Sequence, residues 1–156
     1  MKRTFLSFCI LAVVFSSLTA QSKTDWNRKN ATYIELGGWA FWYSLNYEHR
    51  ISLADNHRLG LGGGLMLIPP TKDASLLAGL HLNYLLGKTH NLEIGITPSV
   101  FFGEEKEFYF SPRIGYRYEG PKGFLFRLGT SPSVLTHDSS GLSMLSWAYL
   151  TFGYTF

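Results

Sequence analysis

Seven charged residues have the spacing needed to bring acids and bases together inside a sheet. Each falls on the polar side of a segment in which polar and apolar residues alternate. They are Glu35, Glu48, Arg58, Glu93, Arg113, Arg117 and Arg127. Acids and bases nearly balance, as buried charges require. We favour a structural plug of ion pairs. The alternative is a proton or ion path, or a gate in which the pairs exchange partners.

Counting residues along the segments predicts which of these charges meet. We expect Glu93 opposite Arg117, and Glu35 near Glu48. Two neighbouring carboxylates repel each other unless a cation lies between them. Arg58 lies one strand further along at a similar depth, so we predict that it bridges Glu35 and Glu48.

The run 136–140 has the residue types of a hydrolase triad. His137, Asp138 and Ser139 could act as base, orienting acid and nucleophile. The His137-x-Ser139 spacing is similar to that of outer-membrane lipid A deacylases. However, this pair lies in a predicted loop, and Thr151 stands where that resemblance implies an acidic partner. Catalytic groups usually converge from different segments, so we favour a polar loop over an enzyme.

Two further motifs do not indicate a cofactor or a metal ion. The run Gly103 to Glu107 is acidic and could bind a divalent cation together with lipopolysaccharide phosphates, but we interpret it as a solvated loop. The run Gly62 to Gly64 lacks the following helix and Lys-Ser/Thr of a phosphate loop. We therefore expect no cofactor and no metal site.

Length and composition favour one sheet-rich domain. The chain has 156 residues with 46% apolar, 16% aromatic and 16% charged residues, and it contains 16 glycines. Charged residues make up about 25% of typical soluble domains, so this chain is poor in charge. The formal charge of +3 includes Lys2 and Arg3 near the start of the chain, and there is no basic patch. Nucleic acid is therefore not an expected partner.

The first twenty residues have the pattern of a secretory signal peptide. Lys2 and Arg3 precede a mostly apolar run from Phe5 to Phe15, and small residues lead up to Ala20. We predict cleavage after Ala20, a polar lead-in over 21–31 and one barrel domain over 32–156. The only cysteine, Cys9, lies in the leader, which fits export to an oxidising compartment.

From residue 32 onward the hydrophobic period is two, which predicts strands rather than helices. The eight predicted strands are 32–40, 42–50, 57–68, 74–86, 91–102, 108–118, 123–132 and 143–156. Tight turn sequences at 54–56, 87–89 and 120–122 alternate with longer loops. Short turns at one end and longer loops at the other are typical of bacterial outer-membrane barrels. We therefore predict an all-β, eight-stranded, antiparallel, up-and-down transmembrane β-barrel.

The polar faces of the strands indicate which side of the barrel is inside. They are rich in glycine. On an exposed surface glycine would only weaken the strand, whereas in a narrow lumen it makes room for large side chains. The glycines are Gly37, Gly60, Gly62, Gly64, Gly79, Gly95, Gly115, Gly129 and Gly153. A soluble lipocalin-like barrel would instead turn the apolar face inward. We therefore expect polar residues inside and apolar residues against lipid.

Aromatic residues on the apolar faces gather toward both ends of the strands, as membrane interfaces favour. Tyr47, Tyr84, Tyr116 and Tyr154 lie toward the tight turns. Phe102, Phe108 and Phe110 lie toward the loops, with Trp39, Phe41 and Trp42 nearby.

The last strand alternates through Phe152, Tyr154 and Phe156 to a C-terminal aromatic residue. This ending resembles the signal that outer-membrane proteins present to the barrel assembly machinery. Three stretches also resemble a family of uncharacterised small outer-membrane β-barrel proteins of Gram-negative bacteria; they are 35–38 followed by 43–48, then 83–88, then 115–118 with 126–129. That resemblance implies the fold and no established activity.

We expect a protein of the outer membrane, with both mature termini in the periplasm. Its expected partners are outer-membrane lipids, lipopolysaccharide and the barrel assembly machinery. The leading functional interpretation is a non-enzymatic structural or interaction protein with a charge-filled lumen. The alternatives are a narrow channel or carrier for a small solute and, less favoured, a lipid A-modifying enzyme.

Overall fold

The computed structural model describes residues 28–68, 75–103, 106–135, 144–145 and 148–156. The ten strand segments are β1 (Asn30–Gly37), β2 (Tyr43–Ala54), β3 (His57–Ile68), β4 (Ser75–Gly87), β5 (His90–Phe102), β6 (Lys106–Glu119), β7 (Phe124–Thr130), β8 (Ser133–Leu135), β9 (Met144–Leu145) and β10 (Ala148–Thr155). One turn of 3-10 helix, Gly38–Ala40, follows β1. Within the described part of the chain, no helix is long and apolar enough to cross a membrane. The predicted signal peptide, 1–20, lies outside the described residues.

The strands form a closed antiparallel barrel. Each of the strands from β1 to β6 pairs with the next along the chain, and β10 pairs with both β1 and β7. β6 pairs with β5 on one side and with β7 on the other, which closes the ring. The segments β8 and β9 continue β7 and β10, so the ten segments make eight barrel strands. The predicted eight-stranded, up-and-down, all-β fold is confirmed.

The predicted strand 123–132 is interrupted where Pro132 has no backbone N–H to donate to the ladder. The pairing with β6 nevertheless resumes in the same register, because Thr130 lies opposite Ile114 and Val134 lies opposite Phe110. The interruption therefore leaves the order of strands unchanged.

Tight turns join the strands at one end of the barrel, which we call the turn end. They lie at Asp55–Asn56, Lys88–Thr89 and Gly120–Gly123, as the sequence predicts. The opposite end, which we call the loop end, carries the longer connections; residues 69–74, 104–105 and 136–143 of these lie outside the described residues.

The first connection at the loop end differs from the prediction. Residues 38–40 are not strand, because the chain turns inward after β1. Gly37 and Gly38 have φ angles of 74° and 66°, a region that residues with a side chain rarely adopt. The turn carries Trp39 into the barrel, where it is 0% exposed. Our placement of Trp39 in the outer aromatic girdle is therefore wrong, whereas Trp42 is 79% exposed.

Trp39 belongs to a cluster that fills the loop end of the lumen, which we call the apolar plug. Its buried members are Trp39, Ala40, Met66 and Leu77, with Phe41, Phe101 and Tyr109 packed against them. The edge of the indole lies so close to Gly79 that a Cβ atom built there would be 2.6 Å from a ring carbon. Glycine at position 79 thus makes the space that a large ring needs in a narrow barrel.

The remaining barrel surface has apolar residues outside and polar residues inside. Large side chains such as Leu80, Leu45 and Phe108 are 69%, 59% and 58% exposed on the exterior. The interior positions are mostly polar or charged and almost fully buried. A soluble barrel would show the opposite arrangement, so the polarity predicted for a membrane barrel is the one observed.

Three of the tyrosines at the turn end, Tyr47, Tyr84 and Tyr116, lie on the exterior and are hydrogen-bonded to neighbouring side chains. The Tyr84 hydroxyl contacts His57 Nδ1, and the Tyr116 hydroxyl lies 2.6 Å from His90 Nδ1. Tyr47 donates to Asn30 Oδ1 at 2.9 Å. A polar hydroxyl on an apolar ring suits a membrane–water boundary.

We expect Gly79→Ala to destabilise the barrel by about 1–3 kcal/mol, because the added methyl group overpacks the lumen against Trp39. Gly120→Ala is the matched control, since a Cβ atom there would meet nothing closer than 3.4 Å. We expect the control to change stability by no more than about 0.5 kcal/mol. Urea unfolding of the refolded barrel measures both, and equal stability of the two variants would contradict the packing described here.

Candidate functional site

The lumen below the apolar plug is filled by charged residues that come from most strands of the barrel. Six of the seven charges expected inside are fully buried and form ion pairs with one another, and we call these six the deep network. Its members are Glu35, Glu48, Glu93, Arg113, Arg117 and Arg127. All six side chains are 0% exposed, so burial forces each charge to find an opposite partner.

Glu93 lies at the centre of the deep network. Its Oε1 accepts from Arg127 Nη2, and its Oε2 lies 3.3 Å from Arg117 Nη1. Arg113 Nη1 approaches Oε1 at 3.6 Å. One carboxylate thus contacts guanidiniums from β6 and β7, and it couples these strands to β5.

The other two deep carboxylates complete the pairing. Arg113 donates to Glu35 Oε1 at 2.8 Å, and Arg117 lies 2.7 Å from Glu48 Oε1. Asn83 adds a hydrogen bond to Glu48 Oε2 at 2.8 Å. Three carboxylates therefore meet three guanidiniums, and the deep network is electrically neutral.

Two tyrosine rings hold the guanidiniums in place. The guanidinium carbon of Arg127 lies 4.6 Å from the ring centre of Tyr33, and that of Arg113 lies 4.9 Å from the ring centre of Tyr149. Such stacking favours the cation and fixes the plane of its donors. Neither tyrosine was among the site residues that the sequence singled out.

Arg58 does not bridge Glu35 and Glu48, so this prediction is wrong. Arg58 Nη1 instead donates to Glu119 Oε2 at 2.6 Å, and Arg58 Nη2 donates to Asn91 Oδ1 at 2.8 Å. Glu35 pairs across the ladder with Ser44, four residues away from Glu48. The two carboxylates therefore lie at different depths, and each meets its own arginine.

Glu93 also lies opposite Gly115 rather than Arg117. The pairing is displaced by two residues because β6 begins at Lys106, two residues before the predicted start. Arg117 still reaches Glu93, since a long side chain can span a diagonal position.

Two charged residues at the turn end were missed. Arg50 Nη1 and Arg58 Nη1 both lie 2.6 Å from Glu119 Oε2, and Arg117 Nε donates to Glu119 Oε1 at 2.7 Å. The period of two that includes Glu48 and Arg117 would have placed Arg50 and Glu119 on the same interior face. Glu119 escaped notice because the predicted strand ended one residue before it.

A layer of neutral polar groups separates the deep network from the apolar plug. His81 Nδ1 lies 3.0 Å from Thr97 Oγ1, and His81 Nε2 lies 2.9 Å from Asn46 Oδ1. The rings of His81 and Trp39 meet edge to face at 5.3 Å between centres. His81 therefore lies at the junction of the polar and apolar parts of the lumen.

Most of the catalytic and metal-binding candidates of the sequence lie outside the described residues. Among them, no three His, Cys, Asp or Glu side chains are grouped to hold a metal ion. The run 136–140, which carries His137 and Ser139, lies outside the described residues, and so do Glu104 and Glu105. At the depth of the deep network, the described lumen is packed with charged side chains.

The residues of the proposed assembly signal lie on the outside of β10 and at the chain end. Phe152 is 46% exposed and Phe156 is 52% exposed, and Tyr154 is half-buried. Phe152 packs on Phe126 of β7, with ring centres 5.5 Å apart.

Comparison with known proteins supports the fold. No protein-family model matches this chain, and no curated protein sequence matches it either. The crystal structure of the N-terminal β-barrel domain of Pseudomonas aeruginosa OprF is similar, with a TM-score of 0.52 and 14% sequence identity. The similarity covers 83% of this chain and 98% of that domain. The chain thus has a fold of the outer-membrane β-barrel type.

We expect Glu93→Gln to destabilise the barrel by about 3–5 kcal/mol, because it leaves three buried guanidiniums with only two deep carboxylates. Glu107→Gln is the matched control: it makes the same change outside the deep network, and the amide can still accept from Tyr109. Urea unfolding, monitored by the change in gel mobility, measures the stability of both variants. An unchanged unfolding midpoint for Glu93→Gln would show that the ion pairs do not hold the barrel closed.

Proposed function

We propose that this chain is an outer-membrane protein of a Gram-negative bacterium. In this proposal its barrel is a closed, non-enzymatic structural or interaction module. The observation that carries the proposal is the lumen itself. Six deep charges, three carboxylates and three guanidiniums, have no exposed surface and are ion-paired with one another, and the apolar plug fills the loop end above them.

The exterior supports a membrane location. Large apolar side chains are exposed on the outer faces of β1 to β7 and of β10. Soluble proteins rarely expose apolar surface of this extent to water. Tyrosines gather at the turn end, where their hydroxyls would meet lipid headgroups. The resulting partners are the membrane lipids and lipopolysaccharide, which would contact the exterior of the barrel.

The C-terminal strand supports assembly by the outer-membrane machinery. Phe152, Tyr154 and Phe156 are displayed on the outside of a strand whose pairing with β1 closes the barrel. An outward-facing aromatic series is available for recognition before that pairing forms. We propose that these three side chains are the assembly signal.

We propose that the turn end faces the periplasm, because bacterial outer-membrane barrels have short turns on that side and longer loops outside. Asn30 and Phe156 exchange backbone hydrogen bonds of 2.9 Å at the turn end, so both ends of the barrel domain meet there. Both mature termini are then periplasmic.

Location is tested by membrane fractionation with gel mobility before and after boiling. We expect the chain in the outer membrane, with a band whose mobility changes on boiling because the closed barrel resists detergent until it is heated. A soluble periplasmic band without such a change would contradict the proposal.

Closure of the lumen is tested separately by conductance. We expect the purified, refolded barrel to give no current steps in a planar lipid bilayer, since the deep network leaves no exposed path. Reproducible steps that Glu93→Gln alters would favour a narrow channel instead.

Orientation is tested with single cysteines, since the predicted mature chain has none of its own. We expect a maleimide too large to enter through porins to label Lys106→Cys in intact cells and to label Lys122→Cys only after lysis. The two lysines lie at opposite ends of the barrel, at the start of β6 and in the turn after it. The reverse pattern would contradict a periplasmic turn end.

A further inference from the structure

The turn end of the barrel opens into a cavity of about 350 Å³, which we call the mouth. Charged side chains form much of its lining: Arg28, Arg50, Arg58, Lys88, Asp55 and Glu119. Among the described residues that line the mouth, four cationic groups thus accompany two anionic ones, although the deep network directly above is neutral. The described lining of the mouth therefore has an excess of positive charge.

The cationic groups of the mouth also have too few hydrogen-bond acceptors. Glu119 is shared among the guanidiniums of Arg50, Arg58 and Arg117. Arg50 is 2% exposed, yet its Nε has no hydrogen-bond acceptor. A buried charged donor without an acceptor is costly, and arginines gathered around one carboxylate repel each other.

Lys88 adds to this surplus at the rim. Among the described residues no carboxylate forms an ion pair with Lys88, which lies in the turn after β4. The carboxylate of Asp55 also lines the mouth and opposes an anion there. The balance of four cations to two anions nevertheless favours a negatively charged occupant.

We propose that the mouth binds a phosphate group, held by Arg50 and Arg58 with Lys88 at the rim. Guanidinium groups match the oxygens of phosphate in geometry and form charge-assisted hydrogen bonds with them. The phosphate belongs either to a small soluble phosphate ester or to a lipid headgroup. The site lies on the turn-end side of the deep network, in which three carboxylates balance three guanidiniums.

The test is titration calorimetry on the full mature chain, refolded in zwitterionic detergent at low chloride concentration. Inorganic phosphate is the first probe and dihexanoyl phosphatidic acid is the second. Saturable binding of inorganic phosphate indicates a soluble ligand, and binding of the lipid alone indicates a headgroup. Binding of neither probe overturns the proposal.

Variants that should change the phosphate affinity in opposite directions distinguish an effect on binding from an effect on folding. We expect Arg58→Gln, whose side chain is 13% exposed at the mouth, to weaken binding about tenfold or more, the loss expected for one hydrogen bond to a charged group. Arg50→Gln should weaken binding similarly. Glu119→Gln should strengthen it, because the competing carboxylate is removed.

Lys122→Gln is the matched control, because Lys122 lies in the turn at the same end but does not line the mouth. It removes the same charge, and we expect it to leave the affinity unchanged. The change in gel mobility on boiling confirms that each variant is folded. Equal weakening by Lys122→Gln and Arg58→Gln would mean that phosphate senses only the overall charge, and the proposal would be wrong.

Discussion

The contact of one buried carboxylate with three guanidiniums constrains the rest of the barrel. Glu93 on β5 meets Arg113 and Arg117 of β6 and Arg127 of β7 with no exposed surface. Slipping any of these strands by one residue would move its charges to the apolar exterior. An arginine on the lipid side of a membrane barrel costs about 2–4 kcal/mol near the midplane. The ion pairs therefore specify the register of the strands as well as fill the space between them.

Space is the second constraint, and glycine meets it. The lumen of an eight-stranded barrel is barely wide enough for side chains, yet this one holds an indole, two tyrosine rings and several guanidiniums. A Cβ atom at Gly115 would lie 2.3 Å from the Tyr149 hydroxyl, and one at Gly153 would lie 2.4 Å from Tyr33 Cβ. The indole and both tyrosine rings thus each have a glycine beside them, which provides the space that these rings occupy.

The period of two in the sequence was sufficient to predict the class of fold, the strands and the interior position of the charges. It could not predict which charges meet, because contacts across the lumen depend on the stagger of the strands. Arg127 reaches Glu93 across β6, and counting along neighbouring strands does not reveal such a contact. Displacing one strand start by two residues was enough to misplace Arg117 in the ladder. The sequence did contain a local signal for the inward turn of Trp39. Gly37 and Gly38 precede it, and glycine readily adopts the positive φ angles that this turn requires.

The proposed membrane location requires that the apolar face of the barrel meets lipid and that the interior does not. Quenching of tryptophan fluorescence by brominated acyl chains tests it most directly. Trp39 would be kept as the only tryptophan in one protein, and Leu80→Trp would be added to it in a second. Because Trp39 is 0% exposed inside and Leu80 is 69% exposed outside, we predict that the acyl chains quench only the added residue. Quenching of Trp39 by the acyl chains, or quenching of the residue at position 80 by aqueous iodide instead, would contradict this arrangement.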